Sequence, residues 1–155
     1  MRHLATAGRR IALLAALAVL TAVLVVLAVA PSAMSAQAAA VQAHRSAYGT
    51  VLFDGRDFAL YAFTADRRNA SRCTGACATA WPPYIVKARP LALAGASQRL
   101  LGRTRRPDGR YQATYAGHPL YYYVGDRKAA QILCQNVVEF GGRWLVISPS
   151  GRLVR

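Results

Sequence analysis

Few side chains in this sequence are of types that do chemistry, and the most closely spaced are the two cysteines of Cys73-Thr-Gly-Ala-Cys77. The spacing fits neither the C-x-x-C of redox and zinc sites nor the C-x-x-C-H of haem attachment, because Ala78 stands where the histidine would be needed. Thiols four residues apart share one helical face and can approach disulfide geometry. Such a bridge closes a short loop and stabilises by about 2 kcal/mol in the chain-entropy account, whereas a Cys77–Cys134 link would stabilise by about 4 kcal/mol. Three cysteines, where disulfides form at all, point to one disulfide and one leftover thiol, and spacing alone leaves both pairings open. A redox role through Cys73 and Cys77 would require an accessible thiolate of low pKa, which Arg72 would favour.

The other candidate ligands are His118 and Cys134. With a Tyr or Met they would suit copper or haem, but Met34 is the only methionine besides Met1, so soft ligands are too few. Nucleophilic catalysis needs a base beside a nucleophile and a third group to orient it. His118 precedes Pro119 in a turn, His44 lies outside the expected domain, and Glu139 is the only glutamate. There is no glycine-rich phosphate loop and no pair of neighbouring carboxylates, which argues against phosphoryl transfer and glycoside hydrolysis. The residues therefore predict no catalytic group, no metal site and no cofactor.

The elements that must position these residues occur twice. Leu60–Asp66 reads LYAFTAD, and sixty residues later Leu120–Asp126 reads LYYYVGD, so Tyr61, Phe63 and Asp66 answer to Tyr121, Tyr123 and Asp126. Trp81 follows the first copy and Trp144 the second. A repeat of this kind marks equivalent structural units. Each copy begins as β structure. Thr50–Phe53 and Phe58–Thr64 flank the turn Asp54-Gly55-Arg56-Asp57, and Tyr111–Tyr115 and Leu120–Val124 flank Ala116-Gly117-His118-Pro119. In the first aromatic strand Leu60, Ala62 and Thr64 share one face while Tyr61 and Phe63 share the other. Asp66 and Asp126 fall just past their strands, where a carboxylate accepts backbone N–H groups and holds a turn. Ala70–Ala80, with small residues and no alternation, suits a short helix or irregular loop, and Pro82-Pro83 ends it after Trp81. A last strand is expected at Trp144–Ile147.

The first forty residues read as an export segment. Arg2, Arg9 and Arg10 precede Ile11–Ala30, twenty residues without a charge, and A-x-A patterns follow at Ala36–Ala38 and Ala38–Ala40. That run is long enough to span a bilayer of about 30 Å if it is retained as an anchor. Residues 41–47 read as a linker and residues 48–155 as one domain, divided into a first repeat (48–86), a connection (87–110) and a second repeat (111–151). Leaving out Arg2, Arg9 and Arg10, seventeen basic residues face six acidic ones, a net charge of +11. Outside the cytoplasm that charge would meet lipid headgroups and wall polymers rather than nucleic acid.

Taken together, YAFTAD at Tyr61–Asp66, YYYVGD at Tyr121–Asp126, CTGACATAWPP, RPDGRYQATYAGHPLYYYVGD and RWLVISPSG resemble the bacterial secreted-repeat proteins, predicted lipoproteins with a Yx(FWY)xxD motif. The resemblance covers about Tyr48–Gly151. It implies an exported protein, frequently lipid-anchored, without an assigned activity. No cysteine precedes Cys73, so anchoring here would fall to Ile11–Ala30. Against the family pattern Cys134 is an addition, which implies a Cys73–Cys77 bridge and an odd Cys134. The loop after the second motif has Ala129-Ala130 and Asn136 where the family usually has a Pro-Gly pair and further glycines.

The expected architecture is thus mainly β: two related antiparallel units in one compact domain, with a short helix or loop at the cysteine pair. They should pack about Tyr61, Phe63, Trp81, Tyr121, Tyr123 and Trp144. The expected function is a non-enzymatic envelope module, monomeric, that binds or scaffolds, with anionic lipid or wall polymer as its expected partner. Its rival is an extracytoplasmic redox or electron-transfer accessory that uses Cys73 and Cys77 or a bound cofactor.

Overall fold

Alternation of apolar and polar residues begins earlier than the sequence reading placed it. In the computed structural model, which describes residues 39–155, strand β1 (Ala40–Ser46) forms an antiparallel hairpin with β2 (Gly49–Asp54), in register from Val41 opposite Asp54 to Ser46 opposite Gly49. Residues 41–47 are therefore not a linker. Val41 is fully buried and Ala43 packs on the same core, while Gln42 and His44 take the alternate positions. Small alanines at the inward positions disguised the period. The export segment expected over residues 1–40 lies, except for its last two residues, outside the described part. Among the described residues no helix is long and apolar enough to cross a membrane.

The connection expected over residues 87–110 also contains strands. β4 (Leu91–Ala92) pairs in parallel with the start of β1, and β5 (Leu101–Arg105) pairs antiparallel with β6 (Tyr111–Tyr115). The second unit thus opens at β5, not at Tyr111, and the β5–β6 hairpin answers β1–β2. Its arginines concealed it: Arg103 and Arg105 point outward while Leu101 and Thr104 are buried. Pro107-Asp108-Gly109 makes the turn, Gly109 supplying a φ of 82°. At the next turn Ala116 and Gly117 both have positive φ, 51° and 86°, and lead into β7 (His118–Pro119).

The remaining strands cross between the units. β3 (Tyr61–Phe63) pairs with β9 (Gly142–Val146), which pairs in turn with β8 (Val137–Glu139). In the reciprocal arrangement Tyr84 N donates to Leu120 O at 2.9 Å and Tyr122 N to Pro82 O at 2.8 Å. Tyr61–Phe63 therefore lies against the segment that carries Trp144, and Leu120–Tyr122 against the segment just after Trp81. Where the two aromatic strands meet, Tyr61 and Tyr121 exchange both backbone hydrogen bonds, each 2.9 Å long.

Two hydrophobic clusters occupy the two faces. Leu52, Leu60, Ala62, Leu101, Tyr115, Leu120 and Ile147 are among the residues that build one. Phe53, Tyr61, Phe63, Trp81, Tyr121 and Trp144 are among those that build the other, with Cys73 and Cys77. Residues of both units enter both clusters, so the units share their core. Helix α1 (Ala76–Ala80), a single turn or so, carries Cys77 into it.

Candidate functional site

The motif residues converge at the centre of the crossing. Tyr61 is completely buried, and its hydroxyl donates to Asp126 Oδ2 at 2.7 Å. Tyr121, equally buried, donates to Asp66 Oδ2 at 2.7 Å. The tyrosine of each copy therefore serves the aspartate of the other. The second carboxylate oxygens hold the loops: Asp66 Oδ1 accepts Arg72 N at 2.7 Å, and Asp126 Oδ1 accepts Leu133 N at 3.0 Å. Burial pushes both aspartates above the usual carboxylate range, opposed by these hydrogen bonds, and pushes both phenols well up.

The rings cross between copies only in part: each motif tyrosine meets its own copy's tryptophan, and Phe63 and Tyr123 meet the other's. Trp81 and Trp144 stack face to face at 4.0 Å with 1° between planes. Tyr61 meets Trp81 edge-on at 5.2 Å, and Tyr121 meets Trp144 edge-on at 5.1 Å. Phe63 stacks on Trp144, and Tyr123 leans on Trp81. Aromatic pairs of this geometry contribute about 0.5–1.5 kcal/mol each beyond the area they bury. The environment of the indole nitrogens breaks the symmetry. Trp81 Nε1 donates to Glu139 Oε2 at 2.9 Å, whereas Trp144 Nε1 is buried without a partner.

Around Asp66 the polar groups continue inward. The Tyr121 oxygen lies 2.7 Å from Ser71 Oγ, and Arg106 Nη1 donates to that Ser71 oxygen at 2.7 Å. Arg106, only 4% exposed, also donates to Gln112 Oε1 and to the carbonyl of Cys73. Gln112 Nε2 passes the chain on to Leu120 O at 2.7 Å. Arg106 thus fastens the loop between motif and disulfide to the turn of the other unit. Sequence reasoning missed Arg106, Ser71, Gln112 and Glu139. A lone arginine among seven basic residues of an apparent connection carries no signal of burial.

Cys73 and Cys77 form a disulfide, and both are buried in the aromatic cluster. Cys134 is a free, half-buried thiol. Its place is not arbitrary. Asp66 holds Arg72 N and Cys73 comes next; Asp126 holds Leu133 N and Cys134 comes next. Cys134 therefore stands where Cys73 stands in the first unit, and the position answering to Cys77 is the exposed Val138. The neighbouring Cys134 side chain raises the Tyr123 phenol.

His118 is half-buried in β7 opposite Tyr115. Burial, and then the charge of Arg68, hold its pKa below the ordinary value. Among the described residues it has no carboxylate partner. His44 does have one, Asp57 Oδ1 at 3.1 Å, and stacks on Phe53. Among the described residues no three His, Cys, Asp or Glu side chains are grouped to hold a metal ion.

Away from the crossing, a cleft of about 320 Å³ opens beside the start of β1, lined in part by Ala39, Asp54, Arg56, Leu93 and Tyr122. Buried Asp54 is its polar centre: Arg56 Nη2 donates to Oδ2 at 3.0 Å and the Tyr122 hydroxyl to the same oxygen at 2.9 Å. Burial pushes the Tyr122 phenol well up. With its carboxylate filled from within, the cleft presents an apolar wall and the cationic rim of Arg56.

A family model described as a secreted repeat of unknown function matches residues 43–84 and 102–148, together more than half of the chain. The two stretches start in β1 and in β5, the first strand of each unit. No match to the chain is found among curated proteins or among solved structures.

Proposed function

The chain belongs to the secreted-repeat family of unknown function and works outside the cytoplasm; from that premise we propose that it is a non-enzymatic module binding phosphate-bearing polyanions of the cell envelope, membrane lipid or wall polymer, through its arginine surface. One observation carries this reading, an imbalance of charged partners. All six carboxylates are engaged: Asp54 by Tyr122 and Arg56, Asp57 by Gln42 and His44, Asp66 by Tyr121, Asp108 by Arg110, Asp126 by Tyr61 and Glu139 by Trp81. Of the seventeen Lys and Arg between residues 39 and 155, three (Arg56, Arg106 and Arg110) pair with a carboxylate among the described residues. The other fourteen have no carboxylate to neutralise them.

The fold turns much of this charge outward. Arg103 and Arg105 project from one face of the edge strand β5, and the Arg103 guanidinium lies 4.1 Å over the Tyr111 ring. A stacked guanidinium keeps its donor fork in a fixed plane, the arrangement that suits phosphate oxygens. The thiol form of the redox alternative would need a thiolate that a partner can reach, and Cys73 and Cys77 are bridged and buried.

Titrating the full chain with inorganic polyphosphate at increasing salt tests the proposal. Binding at low salt that falls steeply as the Debye length shortens is expected. Binding indifferent to salt, or none at low salt, would remove the basic-surface mechanism.

A further inference from the structure

Single exposed leucines are ordinary, but two on one strand face beside arginines, at the point where the chain enters the domain, are a different matter. Leu91 is 53% exposed and Leu93 is 45% exposed, while Ala92 between them packs on the core. Alternation puts both leucines on the outward face of β4 and its continuation. That strand runs along the first described residues: Leu91 N donates to Ala39 O at 2.9 Å and Leu93 N to Val41 O at 2.8 Å. Two cations flank them. Arg89 is exposed two residues before Leu91; its Nε donates to Leu101 O at 2.9 Å and its Nη2 to Gln98 O, which leaves Nη1 for an outside phosphate. The Arg56 side chain, 70% exposed, shares the cleft beside β1 with Ala39 and Leu93; its Nε and Nη2 are given to Asp54, which leaves Nη1 as the donor for an outside phosphate.

The chain that leads to this face carries its own signal. Ile11–Ala30 is twenty residues without a charge, and none of the eight residues from Pro31 to Ala38 is charged. Those eight residues can hold Ala39 no farther than roughly 30 Å from the end of the apolar run.

We propose that the face formed by Leu91, Leu93, Arg56 and Arg89 docks on an anionic lipid surface, which, where Ile11–Ala30 is retained as an anchor, lays the domain against the membrane at its tether point. This rests on the reading of the protein as a binder of phosphate-bearing polyanions and names lipid as the polyanion for this face. A soluble phosphate polymer would satisfy the arginines but offers nothing to the leucines. A membrane interface satisfies both, phosphates for the guanidinium groups and acyl boundary for the apolar side chains. Each arginine near an anionic leaflet multiplies the docked population about fivefold.

The test is hydroxyl-radical footprinting of the full chain in vesicles of phosphatidylcholine, with and without phosphatidylglycerol. Labelling of Leu91 and Leu93 is expected to fall several-fold only when phosphatidylglycerol is present. Arg89→Gln should raise the undocked fraction about fivefold, and Leu91→Ser should do so without disturbing a core that Leu91 does not enter. Unchanged leucine labelling with new protection of Tyr111, beside Arg103, would overturn this face while leaving polyanion binding intact. No protection anywhere, together with no polyphosphate binding, would sink both.

Discussion

Removing one hydroxyl from the crossing separates a shared interlock from two self-contained motifs. Tyr61→Phe deletes the donor that serves Asp126 Oδ2 at 2.7 Å and leaves the ring in its T-shaped contact with Trp81. Asp126 is 7% exposed, so water does not readily replace the lost bond. A hydrogen bond to a charged acceptor contributes about 1.5–3 kcal/mol, and losing it leaves a buried oxygen unsatisfied. The expected cost is about 2 kcal/mol, or a urea midpoint lowered by about 1 M at unchanged slope. The sharper form is a double-mutant cycle followed by tryptophan fluorescence. Tyr61→Phe with Asp126→Asn should show a coupling of about 1–2 kcal/mol, because one variant already removes what the other would remove. Tyr61→Phe with Asp66→Asn, inside one copy, should be additive within about 0.5 kcal/mol. Coupling within a copy as large as coupling across copies would refute the crossed arrangement.

Three further outcomes follow from the same contacts. Reducing the short bridge, as in Cys73→Ser with Cys77→Ser, should cost about 2 kcal/mol, and thiol titration of the native protein should find one reactive group, Cys134; three reactive thiols would contradict the buried bridge. Burial raises Asp66 and Asp126, so the native state holds their protons more tightly than the unfolded chain does. Stability from these two groups should therefore rise as pH falls from neutral through their raised native values and level off below about 4, the unfolded value. Asp108, held at about 2 chiefly by its hydrogen bond to the Arg110 side chain, runs the other way, its contribution fading as pH falls from about 4 towards that value. Urea midpoints of the wild type relative to Asp126→Asn and Asp108→Asn across that range should diverge with opposite sign. Glu139→Ala should cost about 1 kcal/mol by stranding Trp81 Nε1, whereas Glu139→Gln, which keeps an acceptor, should cost a few tenths.

Much of the fold was legible because period-two alternation survives wherever large apolar residues mark it. Leu60, Ala62 and the aromatics Tyr61 and Phe63 divided between the two faces as their spacing required. β1 was illegible because alanine marks the inward positions too weakly, and β5 because its arginines made a strand look like a solvated loop. Self-similarity at sixty residues identified which positions are equivalent. It could not show that Tyr61 reaches Asp126 rather than Asp66, since a repeat carries no information about which copy a side chain turns to. Arg106 lay beyond reach for a related reason: its burial depends on Ser71, Cys73 and Gln112, none adjacent to it in sequence.

In the proposed reading the crossing makes the fold and the arginine surface meets the ligand. The most direct test compares the polyphosphate affinity of two folded variants of the full chain at low salt. Tyr61→Phe, which preserves every charge, should be less stable yet bind as the wild type does. Arg103→Gln with Arg105→Gln, on an exposed face, should lose about 1 kcal/mol with the Arg103–Tyr111 stacking, stay folded, and bind more weakly. Loss of binding in folded Tyr61→Phe, with binding retained in the arginine variant, would put the ligand at the crossing and contradict the account.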